Sequence, residues 1–145
     1  MSEAHTQVLG VTNTLTDLPG EMWWTTALGK QYWAENVAAL ERGVRIRRIF
    51  VYDTLDPALR LLLDQQQAAG VEVRVVHGDA LDHTLHRNLA VIDTAIAWEG
   101  RTNARGVQDE NVMSHHRTEV ERLTNVYGRC AVAAESYPLQ PDGRN

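Results

Sequence analysis

One cysteine, Cys130, stands in 145 residues, so no disulfide can form within the chain and a reducing cytoplasm is the expected location. Lysine is nearly missing too: Lys30 stands alone against thirteen arginines. Any anion site therefore falls to arginine, whose planar fork grips phosphate or carboxylate through two bonds. No apolar run approaches the ~20 residues of a membrane helix. MSEAHTQ carries no basic stretch leading into an apolar core, so no secretory signal is expected. Positive charge is short overall. A net charge of −5 argues against nucleic acid as a partner, except through a local basic site.

What is present is the composition of a folded domain, 43% hydrophobic and 23% charged, which excludes disorder. The length fits one domain, 1–145, with an ordered core of about 6–135 and a loose tail, PLQPDGRN. Val8, Leu9 and Val11 suggest a first strand. Apolar spacing from Ala27 to Leu40 predicts a helix over 26–42, closed by Gly43. RIRRIFVYD reads as a strand buried on both faces. Asp56 and Pro57 open a second helix that Gly70 stops, and VEVRVVHGD is a third strand. Two strands near 86–92 and 95–100 turn at Asp93-Thr94, and 115–134 is a last helix after a short segment around Val107 to Met113. The fold expected is α/β: a single, mainly parallel βαβαβ sheet extended by a hairpin, with helices on both faces.

The chemistry concentrates in LHRNLAVIDTAIAWEGRTN, residues 85–103. His86 and Asn88, two apart on an expected strand, share a face. Asp93 sits at the turn, Gly100 closes the return strand, and Asn103 lies three beyond it. This spacing resembles the HxK-x4-D-x6-GSxN motif of the phospholipase D superfamily. His86, Asp93, Gly100 and Asn103 match, whereas Asn88 replaces the lysine and Arg101 the serine.

The resemblance implies a phospholipase D-like half with one motif, completing its site as a homodimer. In the family, histidine attacks phosphorus, lysine and asparagine hold the oxygens, and aspartate orients a histidine. Asn88 lacks the lysine's charge, so the expectation is a pseudoenzyme. Asn88, Arg101 and Asn103 would bind an anionic small ligand, or the domain a partner, in a regulatory role. The alternative is a homodimeric phosphodiesterase, nuclease or phospholipase with His86, Asn88 and Asp93 catalytic. No cofactor and no metal is assigned.

Other clusters have plainer readings. His77, Asp79, Asp82, His83 and His86 could suit a divalent metal but match no tight ligand spacing. Trp33 is expected in the core, with Trp23 or Trp24 partly exposed or at an interface. Cys130 reads as a small buried residue. Arg42, Arg45, Arg47 and Arg48 are expected on a solvated face.

Overall fold

The computed structural model describes residues 6–15, 22–102 and 108–139. The sequence rules for helix ends are obeyed closely. Helix α1 (Ala27–Glu41) starts where the Thr26 hydroxyl accepts from Gly29 N, and Gly43 follows its end at φ +93°. Helix α2 (Pro57–Ala69) is capped by the Asp56 carboxylate, which accepts from Leu59 N at 2.8 Å. Gly70 stops it at φ +112°, a left-handed conformation that a side chain would strain. Helix α3 (Arg117–Ala133) is the third.

Seven strands form one sheet: β1 (Gln7–Asn13), β2 (Arg45–Tyr52), β3 (Glu72–His77), β4 (Asn88–Ile92), β5 (Ile96–Thr102), β6 (Gln108–Ser114) and β7 (Glu135–Ser136). Their order is β6-β5-β4-β1-β2-β3-β7. The sheet is mixed, which corrects the expectation of a mainly parallel one. Only β1–β2 and β2–β3 run parallel, and the other four pairings are antiparallel. The segment after the hairpin is strand β6, whose polar run QDENVMS hides it from an apolar pattern. Edge strands commonly carry such charge to discourage further pairing.

Alternation along the strands splits the core in two. Val8, Ile46, Phe50, Val73, Val75 and Ile92 face α1 and α2, whose Ala39, Leu59, Leu62 and Leu63 complete that side. Leu9, Val11, Ile49, Val51, Leu89, Val91 and Ala97 face α3 through Val120, Leu123, Tyr127 and Cys130. Helices therefore cover both faces, as the composition of β2 requires.

Three further expectations change. Trp24 is the buried tryptophan of the group, packed edge-on to Trp23 and Trp33, while Trp33 is only partly buried. Arg48 is not solvated: it points inward with Ile46 and Phe50 and is 2% exposed. Leu139, at the start of the expected loose tail, packs against the core, and Tyr137 OH donates to Asp64 Oδ1 at 2.7 Å. Residues 140–145 lie outside the described residues.

Candidate functional site

The carboxyl ends of β1 and β5 and the start of β4 come together at one end of the strands, where α/β folds place their sites. There a cleft of about 510 Å³ is lined by Asn13, His83, Thr84, His86, Arg87, Asn88, Glu99, Gly100, Arg101, Glu119 and Arg122. Its floor is the Glu99 carboxylate, 6% exposed, on the β5 face that looks toward α3. Arg87 Nη1 donates to Glu99 Oε2, and Arg122 Nη2 donates to Glu99 Oε1 at 2.8 Å. Arg101 Nε stands 3.8 Å from Glu99 Oε1 with its side chain half exposed. Glu119, one turn before Arg122, accepts from Arg122 Nη2 at 2.8 Å and from its Nε at 3.3 Å.

Burial alone would raise the Glu99 carboxyl, but the hydrogen bonds from Arg122 and Arg87 outweigh it and hold it below the ordinary glutamate value. Bonds from Glu119 and Glu99 in turn hold the Arg122 guanidinium above the usual arginine value. Among the described residues three guanidinium groups face two carboxylates here, so these side chains carry local positive charge in a chain of net charge −5.

Of the residues singled out from sequence, His86, Asn88, Gly100 and Arg101 all line this cleft. Asp93 does not. It sits in the β4–β5 turn, where Oδ1 accepts from Thr6 N, Thr6 Oγ1 and Gln7 N at 2.8–2.9 Å. Asn103 lies outside the described residues. His86 precedes β4, capping the 3₁₀ turn His83–Leu85. Its Nε2 lies 2.9 Å from the Gly78 carbonyl, which can only accept, so this contact is a hydrogen bond when Nε2 carries the ring proton. Asn88 Oδ1 accepts from Asn13 N at 2.7 Å, and Asn13 Oδ1 accepts from Leu15 N at 3.0 Å. The Asn88 amide thus holds the end of β1 against the start of β4, and the Asn13 amide closes the turn that follows β1.

Sequence reasoning passed over Arg87, Glu119 and Arg122. The signal available was Glu99 itself, a carboxylate inside a strand covered on both faces, which needs a cationic partner. Among the described residues no group of three or more His, Cys, Asp or Glu is placed to hold a metal ion. Cys130 is buried, and its thiol is pushed up to about 11 by desolvation. No described helix is long and apolar enough to cross a membrane.

No protein-family model and no curated protein matches the chain. Among solved structures the fold is similar to that of TrmBL2, an archaeal chromatin protein whose structure is described as showing a novel mode of DNA binding. The match has a TM-score of 0.62 at 16% identity and covers 92% of this chain and 46% of that one. The likeness is one of fold, and this chain spans less than half the length of that protein.

These findings overturn the phospholipase D resemblance. The similar structure is that of a DNA-binding chromatin protein, and no family model supports the motif. The pseudoenzyme reading, with its anionic small ligand, falls with it, as does the homodimeric phosphodiesterase built on His86. The expectation that nucleic acid is an unlikely partner, drawn from net charge with a local basic site excepted, is overturned by the same likeness. Bulk charge says little about a local cluster such as Arg87, Arg101 and Arg122.

Proposed function

We propose that this chain is a module of a DNA-associated protein and that its arginine cleft contacts the phosphate backbone. The observation that carries the reading is the convergence of Arg87, Arg101 and Arg122 on one open cleft at the strand ends. The fold likeness to a chromatin protein supports it. Phosphate contacts position a protein on DNA without reading sequence, and arginine makes them through paired N–H donors. Arg101 is the leading contact, because it is the most exposed of the three and stands furthest from Glu99. Asn88 lines the same cleft, its side chain tied to Asn13 N.

So few cations make a weak binder. The expected dissociation constant is about 10⁻⁴ M at physiological salt, the weak end of non-specific DNA binding. Fluorescence anisotropy with a labelled duplex, repeated across a salt series, tests this. Each lost phosphate contact flattens the log–log salt slope by about 0.9, which is roughly eightfold in affinity near 0.1 M salt. Arg101→Ala should show that loss, and Arg60→Ala, on α2 away from the cleft, should not. Equal losses in both variants would mean diffuse attraction, and the cleft would have no special part in it.

A further inference from the structure

Two of the three cleft arginines already hold an anion, and that anion is part of the chain. Arg87 precedes β4 and Arg122 lies on α3, yet both donate to the carboxylate of Glu99. That carboxylate is almost fully buried at the floor. A carboxylate and a phosphodiester present the same pair of acceptor oxygens to a guanidinium. We infer that Glu99 is a built-in competitor for backbone phosphate: it occupies the arginine forks when DNA is absent and sets the affinity of the cleft low. The inference rests on the phosphate-contact reading above and names the residue that regulates that site.

Charge accounting gives the size of the effect. Arg87, Arg101 and Arg122 against Glu99 and Glu119 leave one surplus positive charge, and neutralising Glu99 leaves two. Glutamine in its place keeps the shape and a carbonyl acceptor for one arginine. It releases the other fork for a phosphate arriving from solvent. Glu119 is a weaker competitor, since it is half exposed and binds Arg122 alone among the cleft arginines.

The test compares wild type, Glu99→Gln and Glu119→Gln by anisotropy on the same duplex across salt, with thermal unfolding in phosphate against chloride at matched ionic strength. Glu99→Gln should bind DNA roughly eightfold more tightly near 0.1 M salt, with a slope steeper by about 0.9. Glu119→Gln should shift the same way by less. A folded Glu99→Gln protein that binds DNA no better than wild type overturns the inference. If Glu99→Gln does not fold, Glu119→Gln carries the test, and no gain there overturns it. If none of the proteins binds DNA, the phosphate arm separates the two ideas. Greater stabilisation of Glu99→Gln than of wild type by phosphate keeps Glu99 as a competitor while the DNA reading falls, and equal responses remove both.

Discussion

Replacing Arg48 by lysine keeps the charge and removes the fork, and the structure says what that costs. Arg48 Nη1 donates to Gln66 Oε1 on α2 at 2.8 Å, and Nη2 donates to Asn36 Oδ1 on α1 at 2.7 Å. The guanidinium carbon lies 5.1 Å from the Trp24 ring centre, and no carboxylate among the described residues pairs with the group. Burial pulls it below the usual arginine value. A lysine ammonium is a single point on a shorter reach, so it cannot bridge both helices while its charge stays buried. Losing one charge-assisted hydrogen bond costs about 1.5–3 kcal/mol. Loss of the desolvated contact with Trp24 adds about 1 kcal/mol. Arg48→Lys should therefore destabilise by about 2.5–4 kcal/mol, lowering Tm by roughly 5–15 °C for a domain of this size. Urea unfolding followed by tryptophan fluorescence measures it, with m unchanged. Gln66→Leu in the lysine background should cost less than in wild type, because the partner bond is already gone. A lysine variant within about 0.5 kcal/mol of wild type, the range of an ordinary surface change, would refute the bridging argument.

Gly29→Ala should destabilise by about 1–3 kcal/mol through overpacking, since an added Cβ would sit 2.2 Å from Trp23 O and 2.7 Å from Trp24 Cα. The same urea titration reads it, and an unchanged midpoint would mean the Trp23–Thr25 turn yields freely. Acid should weaken the fold through Glu99. Its folded value lies below the ordinary 4.5, so its contribution is present above that pH and is lost as pH falls through the folded value. Unfolding free energy measured down the acid range should fall less steeply in Glu99→Gln, and parallel curves would contradict the linkage.

Helix ends and strand runs were legible because each rests on neighbours in sequence. Asp56, Pro57 and Gly70 mark α2 at both ends, and the near-continuous apolar run of β2 announces a strand covered on both faces. The turn at Asp93-Thr94 was legible too, and both residues adopt positive φ, at 54° and 55°. Aspartate tolerates that region, whereas threonine adopts it under strain. Burial of Arg48 could have been read from parity, because positions 46, 48 and 50 share a face and two of them are isoleucine and phenylalanine. What no local pattern marks is the meeting of Arg87 and Arg122 over Glu99. That depends on α3 returning across the sheet, a tertiary event that joins residues 23 apart in sequence.

The motif failed for a reason visible in one strand. Asn88 stands at the start of β4, with His86 two residues before it, and Asp93 comes just after its end. A five-residue strand rising ~3.3 Å per residue puts about 17 Å between them, so no packing of this chain brings Asp93 to the cleft. There its carboxylate does local work, holding the backbone N–H groups of Thr6 and Gln7 where β1 begins. Asn88 and Asn13 do the matching work at the other end of the same strand pair. Asn88 and Asp93, two residues at motif offsets, are thus accounted for by the pairing of β4 with β1. The charge available to a ligand comes from arginines of which two, Arg87 and Arg122, the offsets never marked. A spacing pattern reports where residues fall along a chain, and only the pairing of strands decides which of them share a site.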